Sequence, residues 1–133
     1  MKYNPIVTSP KKIRQVLNIQ NNFSVEDLAT ISGYSLEEIT GRCRVADLAE
    51  WRQIIHAYLR SQEFTLIQIA VIMNRDHATI MHSCKCVCNL MKVHDKKMVK
   101  KVHILRNAIC KPNIDSLLIS ESLLSLQEEF NKQ

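Results

Sequence analysis

"TLIQIAVIMNRDHATIMHSCKCVCNLM", residues 65–91, decides how the chain is read. Thr65, with Gln68 three residues on, has the form of a capping box, and Leu66, Ile69, Ala70 and Met73 follow as one apolar face. The run breaks at Asn74-Arg75. A second helix then opens at Asp76, with Ile80, Cys84, Val87, Cys88 and Met91 at the i, i+4, i+7, i+8 and i+11 positions of a buried stripe. A short capped helix, a tight turn and a longer helix with a polar first turn form the pattern of a helix-turn-helix. In that unit the second helix offers its N-terminal residues to base edges in the major groove. The same pattern also fits a plain helical hairpin in which Asp76 is only an N-cap.

Further helix starts lie on both sides. Ser9 is placed to cap a helix with Pro10 at its first position and Ile13, Val16 and Leu17 inward. Ser24 with Asp27 starts a second, stopped at Gly33, and Ser35 with Glu38 starts a short third, stopped at Gly41. A longer helix is expected over 45–61, with Leu48, Trp51, Ile55 and Tyr58 on its buried face; Trp51 and Tyr58 read as core rather than as stacking platforms. "DKKMVKKVHILRNAI" turns Met98, Val102, Leu105 and Ile109 inward and ends before Pro112, and a last amphipathic segment from Asp115 carries Ile119, Leu123, Leu126 and Phe130. No segment alternates like a strand, and there is no internal repeat. The sequence predicts an all-α helical bundle: an N-terminal helical extension over 1–23, a helix-turn-helix domain over 24–110 and a C-terminal amphipathic extension over 111–133.

The 133 residues suffice for one domain with a real core. No stretch approaches the roughly 18 apolar residues of a membrane span, and the opening "MKYNPIVTSPKK" lacks the apolar core of a signal peptide. The expected location is the cytoplasm, with reduced thiols rather than a disulfide framework. Charge is unevenly spread. Residues 42–111 hold 13 Lys/Arg against 5 Asp/Glu, a local balance of +8 within an overall +5. Such a basic body suits a polyanion.

Two other chemistries fit poorly. Asp76 and His77 are neighbours, and helical neighbours point about 100° apart, too far to act as an acid–base pair. There is no glycine-rich phosphate loop and no serine elbow, so neither an enzyme nor a nucleotide cofactor is expected. His82, Cys84, Cys86 and Cys88 are spaced by twos, whereas zinc takes convergent ligands from paired spacings such as C-x-x-C. The cysteines read as small core hydrophobes, and no metal is expected.

"RDHATIMHSCK" resembles the signature of the C-terminal DNA-binding domain (domain IV) of the bacterial replication initiator DnaA, approximately R-D-H-[ST]-T-[VI]-[LIM]-H-A-C-[RK]. "ITGRCRVADLAEWRQIIHAYLR" is similar to that family's basic loop and following long helix, "TLIQIA" to its S-L-x-x-I-G helix, and "VEDLATISGYSLEEI" to its first helix and turn. The likeness spans about Ser24 to Ile109. It implies a Trp-repressor-like helical fold that binds a short double-stranded DNA site. On that resemblance Asp76, His77 and Ala78 read bases in the major groove, and Arg44 enters the minor groove. Phosphate contacts fall on Arg42, Arg52, Arg75, Thr79 and Lys85.

The sequence departs from the family's pattern at Cys43, Val45, Ala46 and Glu50, where several basic residues are usual, and the turn before Arg75 is one residue shorter. Ala78 keeps the methyl of the usual threonine but not its hydroxyl. No ATPase module accompanies the domain, so the expectation is a stand-alone DNA-binding protein in regulation of transcription or replication. The alternative is a protein-interaction module that keeps the fold but has weakened or lost DNA binding. His82 is expected to pack or to bond within its helix. Lys96, Lys97, Lys100 and Lys101 either extend the phosphate surface or form a solvated face. The terminal helices close the core, or else receive a second copy or a protein partner.

Overall fold

A computed structural model describes residues 9–20 and 22–108. Seven helices follow one another in the described residues, and no strand occurs among them: α1 (Pro10–Leu17), α2 (Val25–Ser32), α3 (Leu36–Thr40), α4 (Ala46–Ser61), α5 (Leu66–Met73), α6 (His77–Lys92) and α7 (Lys96–Asn107). None of these helices is long and apolar enough to cross a membrane. The expected inward place of Ile109, the stop at Pro112 and the amphipathic segment from Asp115 lie outside the described residues.

Local chemistry sets most helix ends. Ser24–Asp27, Ser35–Glu38 and Thr65–Gln68 form reciprocal capping boxes. Ser9, Asp76 and Asp95 cap α1, α6 and α7 through single side-chain bonds. Gly33 ends α2 at φ +85°, a left-handed conformation that costs glycine little. Asn74 adopts the same region at φ 54°, turning the chain from α5 to α6.

α4 is the axis of the bundle, packed chiefly on α6 and α1. Leu48, Trp51, Ile54, Ile55, Ala57, Tyr58 and Leu59 are all buried along it. The expected stripe of α6 is buried at Ile80, Cys84, Val87 and Cys88, with Met91 packed at its edge. Ile13 and Leu17 of α1 join the same apolar cluster, as do Met98, Val102 and Leu105 of α7. The Tyr58 hydroxyl accepts from the Phe23 N–H at 2.7 Å, so the polar end of a wholly buried ring is satisfied.

Three cationic side chains tie the helices together. Arg14 donates to the Ser61 carbonyl at 2.8 Å, and Arg106 to the Leu17 and Val16 carbonyls at 2.6 and 3.1 Å, which satisfies the carbonyls left free at the ends of α4 and α1. Lys101 is 9% exposed and sits 2.7 Å from Glu50 and 2.9 Å from Asp47. Lys101 is therefore neither phosphate surface nor solvated face; it bolts α7 to α4. Glu50 serves that pairing.

Candidate nucleic-acid interface

The first turn of α6 stands on the surface. Asp76, His77 and Ala78 are exposed, and Thr79 is half-buried. The Asp76 carboxylate accepts from the Thr79 N–H at 2.8 Å. The Thr79 hydroxyl and N–H hold Asp76 below the ordinary carboxylate range, with smaller help from the charges of His77 and Arg42. Asp76 is thus ionised and fixed, with acceptor capacity left beyond its cap bond.

A groove of about 630 Å³ opens beside this turn, lined by Arg42, Arg75, Asp76, His77 and Thr79 together with Ile67, Ala70, Val71 and Asn74 of α5 and its end. Five of the nine residues expected to meet DNA therefore share one surface. Arg44 is exposed on the loop between α3 and α4 but does not line the groove. Lys85 is half-buried in the middle of α6.

Arg52 departs from expectation. It is 7% exposed, and its guanidinium donates to the carbonyls of Ile39 at 2.9 Å, of Glu38 at 2.5 Å and of Cys43. Each nitrogen of this nearly buried guanidinium is thus bonded to the main chain, which gives Arg52 a structural place where a phosphate contact was expected. Arg75 is half-buried and donates to the carbonyls of Asn74 at 3.1 Å, of Thr40 at 3.5 Å and of Gly41. Burial, then the charges of Arg52 and Arg42, lower its pKa from the ordinary arginine value. Among the described arginines, Arg42 and Arg44 alone keep their guanidiniums off main-chain carbonyls.

Between α4 and α6 lies a buried pair that sequence reasoning missed. His56 is 2% exposed, its Nδ1 lies 2.9 Å from the Ser83 hydroxyl, and its Nε2 is buried without a hydrogen-bond partner. Burial, then the nearby Arg75 and Arg52 charges, push its pKa down to about 3. The ring is neutral and links α4 to the inner face of α6. A signal for Arg52 and His56 was present: Arg52 follows Leu48 by four and precedes Ile55 by three, on the buried stripe of α4, and His56 follows Arg52 by four.

The cysteines divide by face. Cys84 and Cys88 are in the core, where burial raises the Cys84 thiol to about 12. Cys86 lies on another face, its Sγ 3.3 Å from Nε2 of His82 one turn back. His82 thus bonds within its own helix. Among the described residues, no group of three or more His, Cys, Asp or Glu side chains converges as a metal would need.

Residues 25–87, from α2 into α6, match the family model of the bacterial DnaA protein helix-turn-helix. No curated protein and no solved structure matches the chain.

Proposed function

Starting from residues 25–87 as a DNA-binding helix-turn-helix of the bacterial DnaA family, we propose that this protein binds duplex DNA sequence-specifically and without catalysis, in regulation of transcription or replication at a bacterial or phage nucleoid. One observation carries the reading. Asp76, His77 and Ala78 are exposed together at the start of α6, beside Arg42 and Arg75. A carboxylate accepts from cytosine N4 and an imidazole bonds a purine edge, each good contact being worth about 1–3 kcal/mol of discrimination. The Ala78 methyl offers apolar contact to thymine. Arg44 serves the minor groove, while Arg42, Thr79 and Lys85 serve phosphates. Arg75, at the groove's wall, lies close enough for its charge to reach a bound backbone.

A second reading keeps the fold for a protein partner. It is favoured by Ile67 and Val71, exposed at 69% and 77% on the α5 side of the groove. Fluorescence anisotropy with a DnaA-box duplex and a scrambled duplex, across a salt series, separates the two. Preference for the box with a log–log salt slope of about 2 or more, the mark of at least two to three neutralised phosphates, supports the first. Absence of binding at low salt supports the second.

A further inference from the structure

We propose that Arg52 and Arg75 form a clamp that fixes the loop between α3 and α4 against the start of α6, so that Arg44 and the Asp76–His77 pair meet a duplex as one rigid surface. The inference rests on the DNA-binding reading above and assigns these two arginines a positioning role in it.

The clamp reaches the loop from two sides. Arg52, in the second turn of α4, holds the carbonyls of Glu38, Ile39 and Cys43. Arg75, one residue before the cap of α6, holds those of Thr40 and Gly41. Two side chains thus take up five main-chain carbonyls between residues 38 and 43. The last carbonyls of the five-residue α3 have no partners within that helix, and the planar guanidinium fork suits several such acceptors at once. Neither arginine has a carboxylate partner among the described residues. Their charge is met by the loop's carbonyls, so the loop cannot move away without stranding a buried cation.

Gly41 shows how tightly the chain turns off α3 into this loop. A Cβ at this position would lie 2.7 Å from the Glu37 carbonyl oxygen. Beyond Gly41, Arg42 and Arg44 are exposed and project from a backbone held at both edges. A phosphate ligand needs only charge and reach, which lysine also provides; a three-carbonyl fork needs the guanidinium plane. That difference makes the role testable.

The full chain and its Arg52→Lys, Arg52→Gln and Arg75→Lys variants are compared in two assays. Limited trypsin digestion reads the loop directly, since Arg42 and Arg44 are cleavage sites; the variants are expected to be cut there roughly tenfold faster, with helical circular dichroism unchanged. Anisotropy with the DnaA-box and scrambled duplexes reads the surface. Arg52→Lys and Arg52→Gln should lose box preference alike, by about tenfold, the worth of one base contact. The salt slope of Arg52→Gln should stay within half of the roughly 0.9 that a lost phosphate contact removes.

Wild-type cleavage and wild-type box preference in Arg52→Lys overturn the clamp. So does a slope reduced by about 0.9 in Arg52→Gln with the loop still protected. If the Arg52 variants lose helicity, the half-exposed Arg75→Lys decides by the same cleavage criterion. A wild-type chain that binds neither duplex sinks the reading of the site and leaves the digestion to decide the brace by itself.

Discussion

The guanidinium of Arg75, immediately ahead of the α6 cap, donates to the carbonyl of Gly41, the residue that ends α3. Two parts of the chain 34 residues apart thereby share a fixed geometry. One presents the Asp76–His77 pair, and the other presents Arg42 and Arg44.

Gly41→Ala tests that geometry from the backbone side. The added methyl meets the Glu37 carbonyl at 2.7 Å, a main-chain atom with no rotamer to retreat into. The loop must shift, at a cost of about 1–3 kcal/mol by analogy with overpacked cores. Denaturant titration should show that loss, and anisotropy should show weaker binding to the box duplex. An alanine variant as stable and as selective as wild type contradicts the packing described.

Asp76 has two roles that substitution can separate. Asp76→Ser keeps an N-cap oxygen for the Thr79 N–H, so stability should change by only a few tenths of a kcal/mol, whereas Asp76→Ala should lose about 1 kcal/mol. Both remove the carboxylate and should lose base discrimination equally, by about 1–3 kcal/mol. Retained selectivity in the serine variant, measured against single-base substitutions of the box, assigns Asp76 to capping alone.

His77→Ala removes an exposed side chain at the first position of α6 and should relax specificity with little effect on the melting temperature. Competition by scrambled duplex is the measure. Unchanged discrimination removes His77 from the readers.

His56 makes stability depend on pH. Its folded pKa of about 3 lies below the ordinary 6.5, so the unfolded chain takes up the proton first. Its contribution is complete above about pH 6.5 and is lost progressively as pH falls toward 3. Unfolding midpoints at pH 7, 6 and 5 should therefore decline, and His56→Asn should flatten the decline below pH 6.5. An equal slope in the variant shows that other groups carry it.

Lys101→Met leaves Glu50 and Asp47 without their cation. Glu50 is largely buried at 23% side-chain exposure, while Asp47, at 53%, stays solvated and keeps its bond from the Tyr34 hydroxyl. The expected loss is about 2 kcal/mol, below the roughly 3–5 kcal/mol of a fully buried pair because both carboxylates keep some contact with solvent. The salt slope of DNA binding should not move, because Lys101 touches no surface a duplex reaches. A reduced slope returns Lys101 to the phosphate contacts.

The helices were legible because their signals are local. Ser24–Asp27, Ser35–Glu38 and Thr65–Gln68 carry cap and partner within one turn, and the α6 stripe repeats every three or four residues. The resemblance in "RDHATIMHSCK" pointed to the family matched over 25–87. Arg52 entered the set of expected phosphate contacts through that resemblance, whereas its own place on the helix, between Leu48 and Ile55, which are buried, marks it as inward.

The sequence by itself determined where the helices begin and end, which faces are apolar and which turn opens α6, since caps and periodicity act over three or four residues of contiguous chain. Only the tertiary structure decided which cations remain for a partner. Arg52 finds its carbonyls 9 to 14 residues away, Arg75 at 34 and 35, and Lys101 reaches Glu50 across 51. Such bonds depend on how α3, α4 and α7 pack, and a guanidinium or ammonium goes to whichever unpaired oxygens that packing leaves beside it.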